Sequence, residues 1–204
     1  MSTAHERPPE MTDTTSAGRT TELPSPGPSV IAIGVLVALW CAGFAAISIW
    51  FELTDHFAVG RYADDVSGLS VVNWFVAGLK VVGAAVALLA LGRAPRFLAP
   101  RVLGTLLWAA FATLAVYVLG SITQAVMLVT GGDAEQVDAA SVGYVLAFLL
   151  GASGFGVLAI SYARRARLGP RVMLIGVCGA PVVLGGVLVL LPAILKAAGL
   201  LPVP

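Results

Sequence analysis

Five long apolar stretches, separated by short charged loops, constrain this chain more than any other feature of its sequence. A helix needs about 20 mostly apolar residues to cross a bilayer, and inside the bilayer every backbone polar group must find its partner within the protein. The sequence therefore predicts an all-α integral membrane protein with five transmembrane helices. The five predicted spans are 29–51, 69–91, 102–130, 142–162 and 172–191.

The composition points to the same class of protein. Of the 204 residues, 58% are hydrophobic and 11% are charged, whereas soluble domains carry about 25% charged residues. Residues 1–28 are instead polar and rich in Thr, Ser, Pro and Glu, and such a segment buries too little apolar surface to order itself. We therefore expect a disordered cytoplasmic tail over 1–28 and a single transmembrane domain over 29–204.

The charges of the loops alternate along the chain and predict how the protein sits in the membrane. Loops 92–101 and 163–171 together hold seven arginines and no acidic residue, whereas loops 52–68 and 131–141 hold seven acidic residues and one arginine. Cytoplasmic loops are enriched in Lys and Arg. We therefore expect a plasma-membrane protein with its N-terminus inside the cell and its C-terminus outside.

The sequence offers no motif for catalysis, metal binding or nucleotide binding. There is no GxSxG, HExxH, P-loop or dinucleotide fingerprint, and the net charge of +1 gives no general attraction to nucleic acid. Cys41 and Cys178 lie in different apolar stretches, which favours two small buried hydrophobic residues. We expect no enzymatic activity, no metal, no cofactor and no nucleic-acid partner.

Lys80 is the one charged residue that lies well inside an apolar stretch. An ionisable residue within a span is costly, so it marks a candidate functional site. Counted from the outer ends of the helices, Lys80 and a polar stripe on the third helix both fall in the outer half of the membrane. They could meet there and form an intramembrane polar cluster of Lys80, Tyr117, Ser121 and Gln124. Alternatively, the lysine snorkels toward the outer surface and meets Glu52 or the acidic loop.

Small residues mark the expected contacts between helices, because lipid tails are as apolar as leucine and helices associate where their backbones can approach closely. One face of the fourth predicted helix consists of such residues: Gly143, Ala147, Gly151 and Gly154. In the fifth predicted helix, Pro181 removes a backbone hydrogen bond and predicts a kink.

The chain also has a recognisable texture, with a Thr/Pro-rich tail, Arg-Pro loops and Ala-rich helices such as the segment 81–90. In these general features it resembles small, uncharacterised multi-pass membrane proteins of high-GC actinobacteria. Most such proteins carry no assigned activity, so the resemblance assigns no functional residue.

Two functions are open at this point, and a third is weaker. Short loops and small-residue faces favour a non-catalytic structural, accessory or assembly protein, in contact with the lipid bilayer and with a membrane-protein partner or a second copy of itself. Lys80, the polar stripe and the kink at Pro181 would instead suit a small-solute or ion transporter or channel. An enzyme acting on lipid or quinone would need Asp55 and His56 as an acid–base pair.

Overall fold

The structure is a computed structural model that describes residues 24–54, 66–92, 98–131 and 139–197. Within these ranges every regular element is an α-helix, so the all-α fold class is confirmed. The tail predicted over 1–28 lies outside the described residues up to residue 23. The helices are α1 (Pro28–Leu53), α2 (Val66–Leu91), α3 (Pro100–Thr130), α4 (Ala139–Arg165) and α5 (Pro170–Ala197).

Four of the helices are long and apolar enough to cross a membrane, namely α1, α2 from Leu69 to Leu91, α3 and α4. In α5 the apolar segment found among the residues described in full is Pro170–Gly186. Each of the five predicted spans falls inside one of the five helices. The architecture is therefore compatible with a helical membrane protein.

Three of the helices begin at a proline, which fixes where they start. Pro28, Pro100 and Pro170 occupy the first position of α1, α3 and α5. Proline suits this position because its backbone is already set for a helix and because the first amide has no partner within the helix. In each case the carbonyl of the residue before the proline accepts a hydrogen bond from the amide of the second residue after the proline. The starts of these helices are thus encoded locally.

α4 lies between two pairs of helices and joins them. α1 packs on α2, α3 packs on α5, and α4 contacts both α1 and α3. The core is apolar and comes from α1, α2, α3 and α4, with Leu107 and Phe155 fully buried. Large apolar residues also cover the outside, such as Leu150, 71% exposed, and Val182, 74% exposed. An apolar exterior of this kind suits a bilayer, where lipid takes the place of water.

The predicted packing face of α4 is partly in contact with other helices. Gly151 and Gly154 are buried, Ala147 is half-buried and Gly143 is exposed. A Cβ placed on Gly143 would have no atom within 4 Å, so no described helix packs closely against this position. The close contact is therefore confined to the half of this face that includes Gly151 and Gly154.

At these two glycines α4 approaches α1. A Cβ at Gly151 would lie 3.0 Å from Cζ2 of Trp40, and one at Gly154 would collide with the side chain of Val37. Real side chains avoid such separations, so the two helices can be this close only because neither position carries a side chain.

The sequence made predictions about two residues of α5, Cys178 and Pro181. Cys178 is exposed rather than buried, whereas Cys41 on α1 is buried as expected. The helix continues through Pro181 without interruption, from Pro170 to Ala197. The kink at Pro181 stays a prediction.

Gly176 allows α5 to contact the backbone of α3. A Cβ on Gly176 would lie 2.5 Å from Cβ of Trp108, 2.7 Å from the carbonyl oxygen of Thr105 and 3.1 Å from the amide nitrogen of Ala109. Backbone atoms cannot swing away as the end of a long side chain can. Even one added methyl group would therefore push α5 away from α3.

We predict that Gly176→Ala lowers the free energy of unfolding by about 1–3 kcal/mol, the usual effect of overpacking a tight contact. Gly179→Ala is the matched control, because a Cβ there has no atom within 4 Å and the gain in helix propensity is the same. Titration of the protein in mixed micelles with a denaturing detergent measures both values. Equal stability of the two variants would contradict the close approach at Gly176.

Candidate functional site

Polar groups of α1 lie along one face of that helix near its carboxyl end. Phe44, Ser48 and Glu52 are spaced by four residues, which places them one above another on the same face. Ser48 is 5% exposed, and Glu52 lies in the last turn of α1 rather than in a loop. This face is covered by α2, which runs in the opposite direction.

Glu52 is bound by two side chains of α2. Ser70 Oγ donates a hydrogen bond to Glu52 Oε2 at 2.7 Å, and Asn73 Nδ2 donates to Glu52 Oε1 at 2.8 Å. Asn73 Nδ2 also donates to the backbone carbonyl of Ser48 at 2.8 Å. Each carboxylate oxygen therefore has a donor from the neighbouring helix.

Lys80 binds α1 at the next level of the same interface. Its Nζ donates to Ser48 Oγ at 2.7 Å and to the backbone carbonyl of Phe44 at 3.2 Å. The same nitrogen lies 5.7 Å from the centre of the Phe44 ring, which is within reach of a cation–π interaction. The ammonium group is thus held by two oxygen acceptors and an aromatic ring, all from α1.

Together these contacts form a continuous network that we call the polar ladder, made of Ser48, Glu52, Ser70, Asn73 and Lys80. All of its donors belong to α2, and all of its acceptors belong to α1. Among the described residues, Lys80 and Glu52 form no direct ion pair and are connected through Ser48 and Asn73. Positive and negative charge balance within one network, so the ladder can stabilise the α1–α2 pair at no net charge.

The structure does not bring Lys80 together with the polar stripe of α3. The hydrogen bonds of Lys80 go to α1, and none joins it to Tyr117, Ser121 or Gln124 in the part of the chain that the structure describes. Tyr117 and Gln124 are exposed and Ser121 is half-buried. The predicted four-residue cluster is therefore corrected: although α2 also contacts α3, the hydrogen-bond partners of Lys80 lie on α1.

Aromatic rings fill the space between Lys80 and Tyr117. The Phe44 ring lies 5.3 Å from the Phe148 ring, centre to centre, and the Phe148 ring lies 4.4 Å from that of Tyr117. Trp40 packs against both phenylalanines. Tilted and edge-on arrangements at these distances are favourable. An apolar cluster from α1, α3 and α4 thus covers one side of Lys80.

Sequence reasoning found part of this site. It singled out Lys80 and considered Glu52 as its partner through snorkelling, but it missed Ser48 and Ser70. The spacing of four between Ser48 and Glu52 was the available signal, since it places a hydroxyl one turn from a carboxylate on the same face. Serine is common in apolar helices, so this spacing becomes informative only once α2 is known to cover the face that carries Ser48 and Glu52.

The acid–base pair considered for an enzyme, Asp55 and His56, lies outside the described residues. Within the described ranges, no three His, Cys, Asp or Glu residues are grouped so that they could hold a metal ion.

Comparison with family models, curated proteins and solved structures finds no match to this chain. Its function is therefore inferred from the side chains and their contacts.

We predict that Ser48 and Lys80 are energetically coupled. In a double-mutant cycle with Ser48→Ala and Lys80→Met, the coupling free energy should be about 0.5–2 kcal/mol, the range found for hydrogen bonds within membranes and to charged groups. The measurement is the free energy of unfolding in mixed micelles for the wild type, both single variants and the double variant.

Ser153→Ala combined with Lys80→Met is the control cycle. Ser153 Oγ is exposed and donates to the carbonyl of Leu149 on its own helix, so its coupling to Lys80 should be close to zero. A coupling of the same size in both cycles would show that the effect does not arise from the Ser48–Lys80 hydrogen bond.

Proposed function

We propose that this protein crosses the plasma membrane five times, with its N-terminus inside the cell and its C-terminus outside. Support comes from the four long apolar helices and from the length of α5, whose 28 residues extend about 42 Å. In this orientation the arginine-rich loops 92–101 and 163–171 both face the cytoplasm, as is usual for such loops.

We infer that its role is structural or accessory and not catalytic. The observation that carries this inference is the binding of Lys80 to Ser48 and to the carbonyl of Phe44. A lysine that carries a solute or a proton must exchange its partners. Here both hydrogen bonds of Lys80 go to α1, so an exchange of partners would break contacts that join α2 to α1. On this view Lys80 serves to join α2 to α1.

A protein of this kind acts through its surface. The ladder fixes α1 against α2, and the glycine contacts fix α4 against α1 and α5 against α3. The result is a bundle of set shape whose apolar exterior meets lipid. We propose that this exterior also contacts a membrane-protein partner or a second copy of the chain, as an accessory or assembly protein requires.

The first test is the access of water to position 80. In a background with Cys41→Ala and Cys178→Ala, we expect Lys80→Cys to resist a membrane-impermeant thiol reagent added from either side, because the position lies within a proposed span and packs against α1. The measurement is the labelled fraction of the protein in intact cells and in inverted membrane vesicles.

Two control positions report the orientation in the same background. We expect Thr54→Cys, at the end of α1, to be labelled from outside and Arg171→Cys, at the start of α5, to be labelled from inside. Rapid labelling at position 80 would indicate a water-filled path and favour a transporter. Labelling of Thr54→Cys from inside and of Arg171→Cys from outside would overturn the proposed orientation but not the structural role.

The second test measures transport directly. We expect purified protein in liposomes to give no proton or cation flux above that of protein-free liposomes, followed with an entrapped pH-sensitive or cation-sensitive dye. Lys80→Met should leave this background unchanged. A flux in the wild type that is absent in Lys80→Met would contradict the structural role and assign Lys80 to a transport path.

A further inference from the structure

A groove of about 500 Å³ lies where α1 begins and α4 ends, at the end of the bundle away from Glu52. Its α4 side is formed by Val157, Ile160, Ser161 and Arg164, whose spacing of three, four and seven residues places them on one face of the helix. Val157 lies about 10 Å deeper along the helix than Arg164. The groove therefore extends from the end of the bundle toward its middle.

Two arginines give the outer part of this groove a positive charge. Arg164 is exposed, and Arg165 is partly buried. Arg165 is held in place, because its Nη2 donates to the carbonyl of Ala90 at the end of α2 at 2.8 Å and its guanidinium lies 5.7 Å from the centre of the Tyr162 ring. The hydroxyl groups of Ser161 and Ser25 also line the groove and can donate hydrogen bonds there.

No carboxylate of the described chain opposes this charge. Glu52 is the only acidic residue within the described ranges, and it lies at the other end of α1, about 36 Å from the start of that helix. The amino end of α1 has no side-chain cap and no acidic residue in its first turn, so its partial positive charge adds to that of the arginines. This end of the groove thus favours an anion.

The inner part of the groove is apolar. Val30 on α1 and Val157 and Ile160 on α4 line it, and the two α4 residues are exposed among the described residues. A groove with cations and hydroxyl groups at the membrane surface and aliphatic side chains below matches a molecule with an anionic head and a hydrocarbon tail.

We propose that this groove binds one anionic phospholipid, with its phosphate at Arg164, Arg165 and Ser161 and an acyl chain along Val157 and Ile160. Basic pockets between transmembrane helices at a membrane surface are suited to such headgroups. A soluble anion would leave the apolar part unfilled, and a choline headgroup would place a third cation beside the two arginines. The proposal does not depend on which side of the membrane this end faces.

The test uses the full chain, purified in detergent and freed of lipid, with binding measured by native mass spectrometry. Phosphatidylglycerol and phosphatidylcholine with identical acyl chains are titrated separately. We expect one phosphatidylglycerol to bind roughly fivefold more tightly than phosphatidylcholine, the contribution of one well-placed arginine. Arg164→Gln should remove this preference, and Arg164→Lys should keep most of it.

Arg171→Gln is the matched control, because Arg171 is also exposed at this end of the bundle but does not line the groove. It should bind phosphatidylglycerol as the wild type does. The proposal is overturned if the wild type does not prefer phosphatidylglycerol, or if both glutamine variants lose the preference equally. Displacement of the lipid by an equimolar amount of glycerol 3-phosphate would also overturn it, since the site would then recognise phosphate alone.

Discussion

A lysine among apolar helices needs acceptors from the protein around it, and the arrangement of the α1–α2 pair depends on this requirement. Lys80 finds its acceptors on α1, and Asn73 and Ser70 follow with donors for Ser48 and Glu52. Because every donor is on one helix and every acceptor on the other, sliding either helix by one turn, about 5.4 Å, would break all of these bonds at once. The ladder thus fixes both partner and register.

Polar contacts bind α2 to α1 up to the middle of α2 and to α4 at its end. From Ser70 near its start to Lys80 in its middle it donates to α1 through the ladder, and at its end the carbonyl of Ala90 accepts from Arg165 of α4. α4 reaches α1 through Gly151 and Gly154, and α5 reaches α3 through Gly176. In lipid, where burial of apolar surface does not drive helices together, such directional bonds and close backbone contacts determine how the bundle is assembled.

The limits of the sequence reasoning can be seen at particular residues. Lys80 was identified as the key polar position because a charged residue within an apolar stretch can be recognised from the sequence alone. The sequence left two alternatives for its partners, the polar stripe of α3, and Glu52 or the acidic loop. The hydrogen bonds of Lys80 go instead to Ser48 and to the carbonyl of Phe44 on α1, because depth along a helix does not say which side chains face it. Gly151 and Gly143 have the same pattern in the sequence, yet the first meets Trp40 and the second has no close neighbour among the described residues.

The sequence by itself determined that this chain forms long apolar helices. It located their ends to within three residues, apart from the end of α5, which lies six residues beyond the predicted span. The reason is local: backbone groups in a bilayer must bond within their own segment, and prolines such as Pro28 and Pro100 set the starts. Only the tertiary structure decided that Ser48 binds Lys80 and that Arg164 and Val157 share a groove with the start of α1. Those contacts depend on the order and rotation of helices that are far apart in the chain, which the pattern of a single helix does not encode.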